Sequence, residues 1–146
     1  MKRILVCCIA ILSLAACERI DPDSPLGKRK AIFQEMLDVK EDLGGMLRGR
    51  LEFRAEAFAS GAQRLDALAH QPWQYYPEAK EAQSKARDDV WARQAQFEAL
   101  ARELEAATAA LAEKTRTDAL DPSAVAAPFQ AVEDTCERCH KAFRAY

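Results

Sequence analysis

The chain has 146 residues, of which 49% are hydrophobic and 30% charged, with a formal net charge of −2. That describes one globular domain with one core, and the absence of a basic stripe excludes nucleic acid as an expected partner. Five glycines and six prolines are few for this length, and the middle of the chain is crowded with Ala, Leu, Glu, Gln and Arg, a composition that favours helix.

Residues 1–16 read as a signal peptide rather than as part of the fold. Met1-Lys2-Arg3 is a short basic start, and Ile4 to Leu14 is an apolar run too short to span a bilayer as a helix. The segment ends Leu14-Ala15-Ala16-Cys17, which resembles the lipobox of bacterial lipoproteins, where the cysteine is acylated and becomes the first mature residue. A soluble exported protein and an uncleaved anchor are the alternatives. In the lipoprotein reading Cys7 and Cys8 are removed and Cys17 carries lipid. Of the five cysteines only Cys136 and Cys139 then remain free, in a disulfide-permissive compartment. Removal of Lys2 and Arg3 leaves 19 basic against 23 acidic residues, about −4. The expected location is the periplasmic side of a bacterial membrane, held there by lipid on Cys17.

Residues 17–26 contain two prolines and no periodicity, and read as a tether to a domain over 27–146. Ser24-Pro25 fits a helix start, with Ser as N-cap and Pro at the first helical position. Ile32, Met36, Val39, Leu43 and Met46 then follow helical spacing, and Phe33, Leu37 and Leu47 widen the stripe. Gly44-Gly45 is a weak point and Gly49 a fitting end. A second helix is expected near Glu52 to Ala69, with Phe58, Leu65 and Leu68 inward. An aromatic loop, HQPWQYYPEA, follows it. A third helix is expected over about Arg87 to Thr115, carrying Val90, Phe97, Leu100, Leu104 and Leu111 on one face, with Trp91 at one end. Asp121-Pro122 opens a fourth helix, in which Pro128 predicts a kink or a later start. Four helices with mostly short links predict an all-α, up-down-up-down bundle.

The fourth helix carries Cys136-Glu137-Arg138-Cys139-His140. C-x-x-C-H reads as a c-type haem attachment site. Residues three apart on a helix share a face, so both thiols can form thioethers to one porphyrin, and the adjacent imidazole can reach the iron. A redox dithiol normally sits at a strand–helix junction, and this motif lies at the end of a helical chain. Zinc needs four ligands, and His70 is the only other histidine. A structural disulfide in a haem-free lipoprotein remains the alternative of a different class.

A C-terminal CxxCH in a four-helix chain resembles the cytochrome c′ family, the class II c-type cytochromes. Cys136 to Arg144 is similar to that family's CxxCHxxFR ending. Arg29, Met36 and Leu47-Arg48-Gly49 match the order and spacing of its first helix. Pro72-Trp73 follows the second helix as in the family, and Val90-Trp91 with the later Phe97 is similar to its third. Asp88 departs from the pattern, which usually has proline there.

The resemblance implies one covalent haem c, with Cys136 and Cys139 as its attachment points and His140 as the proximal iron ligand. It also makes the residue four beyond Arg29 decisive, because that position faces the distal side of the haem. Methionine there ligates the iron, whereas leucine or phenylalanine leaves it five-coordinate. Here it is Phe33, whose ring has no lone pair to donate. Met36 is an alternative sixth ligand, followed by His70, Met46 and Lys30. By the same resemblance Arg144 lies on the proximal side, Arg29 and Lys30 lie near the haem propionates, and Lys85 is a further candidate for that edge. Each of these is otherwise an ordinary basic residue on a solvated face. Trp73, Tyr75 and Tyr76 either cover the haem edge or seal the end of the bundle.

The expectation is a membrane-tethered monohaem cytochrome that binds small diatomic gases such as nitric oxide and carbon monoxide. It would change iron oxidation state, with a redox partner the sequence does not name and no substrate turnover. A low-spin electron carrier with a methionine sixth ligand is the first rival. Family members often dimerise through the first two helices, but Arg48, Arg50 and Arg54 put charge there, which leaves a homodimer open.

Overall fold

The computed structural model describes residues 19–78, 80–117 and 119–146. The expected signal peptide and Cys17 lie outside them. Five helices follow in order: α1 (Pro25–Leu47), α2 (Ala55–Ala69), α3 (Asp89–Ala92), α4 (Gln94–Lys114) and α5 (Pro122–Phe143). A short 3-10 turn, Trp73–Tyr75, lies between α2 and α3. The four long helices form the bundle: α1 packs on α2, α2 on α4 and α4 on α5, and α1 also touches α5. The fold is all-α. Among the described residues the only β pairing is an isolated antiparallel bridge between Ala86 and Arg144.

The helix ends follow from local chemistry. Ser24 caps α1, its hydroxyl accepting from the Gly27 N–H at 3.0 Å, and Pro25 takes the first position. Leu26, at the end of the expected tether, is already buried inside α1. The helix closes where Gly49 adopts φ +70, with the Gly49 N–H on the Met46 carbonyl and the Arg50 N–H on the Gly45 carbonyl. That paired ending needs a residue tolerant of left-handed backbone, which glycine is. Gly44-Gly45 does not interrupt α1; both are helical and buried. At the other end of the chain Asp121 Oδ1 accepts from the N–H groups of Ser123 and Ala124 and starts α5.

Two expectations change, and the start of the fourth helix at Pro122 holds. The second helix starts at Ala55 rather than near Glu52. The third is split at Arg93, whose φ −125 and ψ 45 separate α3 from α4. Its guanidinium reaches Asp89 (3.1 Å), the Ala142 carbonyl (3.3 Å) and the face of Phe143, so the break ties this segment to the end of α5. Val90 and Phe97 remain seven residues apart across the break, which is why periodicity did not reveal it. Pro128 lies inside α5, which starts at Pro122 and not later.

Two apolar clusters fill the molecule. The larger is built on Met36, Leu43, Phe58, Leu65, Leu68, Leu104, Leu111, Val125, Phe129 and Val132 from all four long helices. The smaller joins Val90, Phe97, Leu100 and Phe143. Leu37, expected on the inner stripe of α1, is 45% exposed. Arg48 and Arg50 on the α1 end are paired within the chain, to Glu133 and Glu41.

Candidate functional site

Cys136, Cys139 and His140 lie in the last two turns of α5, and both thiols are free. The three-residue spacing puts the sulfurs on one face, but they meet different surroundings. Cys136 packs against the larger cluster and Cys139 against the smaller. Burial pushes the Cys136 thiol up, and burial with the nearby Cys136 charge pushes Cys139 up to about 11. These are not the stabilised thiolates of a redox dithiol. His140 shifts the other way: partial burial, then the charges of Arg144 and Lys40, hold it below the ordinary imidazole value. A neutral imidazole is the form that can ligate a metal.

Cys136 and His140 open onto a cleft of about 350 Å³ between α1 and α5. Phe33 and Met36 line it from α1, and Cys136, His140 and Arg144 from α5. Lys40, one helical turn beyond Met36, lines it too and lies 3.8 Å from Glu133. Phe33 is half-buried and stands edge-on to Trp73 at 6.0 Å. Met36 is buried. The other candidate iron ligands lie elsewhere. His70 is 54% exposed between Asp66 and Glu105, Met46 lines a separate groove between α1 and α2, and Lys30 is exposed and does not line the cleft.

Arg29 is 3% exposed, which is unusual for a guanidinium. It donates to both Glu81 carboxylate oxygens (2.6 and 2.7 Å), to the Tyr75 carbonyl (2.8 Å) and to the Ser84 hydroxyl (2.9 Å). Its guanidinium carbon lies 4.5 Å from the Tyr76 ring centre. The Arg29 hydrogen bonds hold the Glu81 carboxyl below the usual carboxylate range, and burial pushes the Tyr76 phenol up to about 12. The segment between α2 and α3 is therefore a strap fastened to α1 by Arg29. Its far end is fastened to the tail of α5: the Arg87 N–H donates to the Phe143 carbonyl and the Ala145 N–H to the Lys85 carbonyl, both at 2.8 Å. Arg144 sits in this bridge and is exposed. The Lys85 side chain is exposed and does not line the cleft.

The structure thus brings Cys136, His140, Phe33 and Arg144 to one cleft, places Cys139 beside it, and leaves Lys30 and Lys85 outside its lining. Sequence reasoning missed Lys40 and Glu81. Lys40 was accessible to it, since Phe33, Met36 and Lys40 share one helical face. Glu81 was not, because it pairs across 52 residues from a segment with no period.

The residues fit a covalently held haem. Two neighbouring thiols and a neutral imidazole supply the donors, a largely apolar cleft adjoins them, and the Trp73 indole Nε1 is a buried donor with no partner among the described residues.

The comparisons with known proteins agree. The family described as Cytochrome C′ matches residues 24–144. The cytochrome c′ of Halomonas halodenitrificans is 28% identical over 131 residues, covering 86% of this chain and 98% of its own. Cytochrome c prime from Shewanella frigidimarina has a similar fold, with TM-score 0.81 at 22% identity over 88% of this chain and 99% of that one. A nitric oxide complex of a leucine-to-alanine variant of cytochrome c prime from Alcaligenes xylosoxidans gives TM-score 0.77 at 22% identity, over 88% of this chain and 99% of that one. A carbon monoxide-bound leucine-to-glycine variant from the same organism gives 0.77 at 22%, over 88% and 100%. The family carries one covalently attached haem c, which sets aside the haem-free disulfide reading. With its C-terminal CxxCH, its four long helices and a match over residues 24–144, this chain belongs to the cytochrome c′ family.

Proposed function

We propose that the protein is a lipid-anchored, five-coordinate monohaem cytochrome that binds nitric oxide or carbon monoxide and exchanges electrons, without turning over a substrate. The observation that carries this reading is Phe33 lining the cleft opposite His140, with no atom able to ligate iron. Bound haem supplies an iron centre that accepts a small gas and changes oxidation state.

The chain's own residues divide the remaining work. Cys136 and Cys139 would hold the haem on α5, and His140, held below the ordinary imidazole value, would offer a ring nitrogen to its iron. Phe33, which meets Trp73 edge-on and lines the cleft, would narrow the side of the iron away from His140 and exclude water and bulky ligands. Arg144 stands four residues beyond His140 on the cleft rim and carries positive charge to the proximal side. Anchoring is supported by Leu14-Ala15-Ala16-Cys17, and lipid labelling lost in Cys17→Ser tests it.

The absorption spectrum with and without carbon monoxide tests the gas-binding reading. A high-spin Soret region that changes on adding carbon monoxide is expected. A sharp low-spin spectrum indifferent to carbon monoxide overturns it in favour of a Met36 sixth ligand, since Met36 lines the same cleft. Phe33→Ala should speed carbon monoxide association, and an unchanged rate removes Phe33 from the distal side.

A further inference from the structure

The residues that lead into α1 are folded against it. The Asp21 carbonyl accepts from the Ser24 N–H (3.2 Å) and the Ser24 hydroxyl (2.6 Å), and Asp21 Oδ1 accepts from the Asp23 N–H (2.9 Å). This turn lies on the first turn of α1: a Cβ at Gly27 would collide with the Asp21 carbonyl and stand 2.8 Å from Pro22 Cα. Four steps of chain separate Cys17 from Asp21, and they span at most about 14 Å. An anchor on Cys17 would therefore hold this end of the bundle close to the lipid surface.

Three segments meet at that end. Arg29 ties the start of α1 to the strap, and the strap is tied to the tail of α5. The other end of α1 is roughly 33 Å away along its axis. Charge is divided along the same axis. Residues 18–30, 71–88 and 141–146 hold nine basic and six acidic side chains, whereas the rest of the chain after Cys17 holds ten basic and seventeen acidic. The end nearest Cys17 is thus positive in a protein that is negative as a whole.

Four of these nine cations are used within the protein: Arg29 by Glu81, Lys80 by Asp88, Arg87 by Asp89 and Lys141 by Glu137. The other five, Arg19, Lys28, Lys30, Lys85 and Arg144, are exposed and have no ion pair among the described residues. They form a rim and not one patch. Lys28 and Lys30 are two residues apart, so they leave α1 on different flanks. A partner docked on one flank meets one of them. A flat surface laid across the end meets both, because long basic side chains reach past the helix that carries them.

We propose that the end of the bundle nearest Cys17 is a membrane-facing surface, on which Arg19, Lys28, Lys30, Lys85 and Arg144 rest on anionic lipid headgroups. Arg144 and the exposed Tyr146 also line the cleft, so this orientation turns that part of the cleft toward the bilayer. The proposal rests on lipid anchoring at Cys17 and not on the coordination of the iron.

Lysine acetylation by a water-soluble reagent, read by mass spectrometry, tests it on the acylated, haem-loaded protein in vesicles. In vesicles containing phosphatidylglycerol, Lys28, Lys30 and Lys85 should be labelled severalfold less than in vesicles of phosphatidylcholine alone. Lys114, exposed at the far end of α4, should be labelled equally in both. At about 0.5 M salt, which screens charges beyond a few ångströms, the protection should be lost. Equal labelling of the three lysines in the two kinds of vesicle overturns the proposal and leaves the rim to an acidic protein partner. Protection that persists in salt, or that covers Lys114 equally, overturns it too.

Failure of the anchoring reading is told apart by a second form. If the cell adds no lipid, a haem-loaded chain beginning at Cys17 can be coupled there to a maleimide lipid, since haem attachment occupies Cys136 and Cys139. The same labelling contrast is expected, and its absence in this form overturns the membrane-facing surface itself.

Discussion

Cys136 and Cys139 are three residues apart on one helix, yet they are packed into two differently made cores. Around Cys136 the core is mainly aliphatic and comes from the stripes of four long helices: Met36, Leu65, Leu104 and Val132 are each 6% exposed or less. Around Cys139 it is aromatic and comes from ends and connections. Phe97 meets Trp73, Tyr76 and Phe143, all edge-to-face, with ring centres 4.8 to 5.8 Å apart. The first core is made by four long helices side by side, while the second joins α3, the start of α4 and the end of α5, with Trp73 and Tyr76 of the strap packed against it. A haem held by both thiols would be supported from both cores, so damage to either should reach the cofactor by a different route.

The largest expected effect comes from Phe97→Ala, which removes the ring at the centre of the aromatic core and should cost about 4 kcal/mol in urea unfolding. Leu104→Ala, the matching change in the aliphatic core, should cost about 3 kcal/mol. The sharper distinction is local: Phe97→Ala should raise hydrogen exchange where strap and tail meet, at Arg87 and Ala145, where Leu104→Ala should not. Equal exchange at those amides in both variants would break the comparison.

Glu81→Gln comes next. It leaves the Arg29 guanidinium, 3% exposed, without its charge partner. Breaking a buried pair costs about 3–5 kcal/mol, and with Glu81 itself 26% exposed the expected loss is about 2 kcal/mol. The pH dependence has a definite sign. The folded-state pKa of Glu81 lies below its unfolded value, so its contribution is present above the unfolded carboxylate pKa. That contribution is lost as pH falls through the folded value. Urea midpoints measured from neutral to acid pH should fall less steeply for Glu81→Gln than for the wild type. Parallel curves would mean that the strap is not held by this ion pair.

Gly49→Ala should cost about 1 kcal/mol, because alanine is strained at φ +70. Ser24→Ala, which removes the α1 cap, should cost slightly less, about 0.5–1 kcal/mol. Both act on α1 as a whole and should lower stability without distinguishing the two cores. A change in either variant confined to the strap amides would mean that the helix end and the strap are coupled.

The main core was legible in the sequence because helical burial repeats every three to four residues. Met36, Leu43, Phe58, Leu65, Leu68, Leu104 and Leu111 were placed inward by spacing alone, and all are buried. The helix starts at Pro25 and Pro122 were legible too, since serine and aspartate caps satisfy their own backbone locally. CxxCH needed no fold to be read, because a three-residue spacing on any helix puts two thiols on one face. Arg29, Phe33 and Arg144 were singled out through the family resemblance rather than through periodicity.

What the sequence determined by itself is therefore what neighbouring residues decide: helix positions, caps, the inward stripe and a haem-attachment motif. Tertiary structure alone decided which distant groups meet. Glu81 reaches Arg29 across 52 residues, Arg93 leaves helical geometry to reach α5, and Trp73 packs against both cores with its N–H unpaired among the described residues. Local patterns repeat because the helix repeats. Pairings between a strap, a tail and a first helix have no period, and they are fixed only when the whole bundle closes around them.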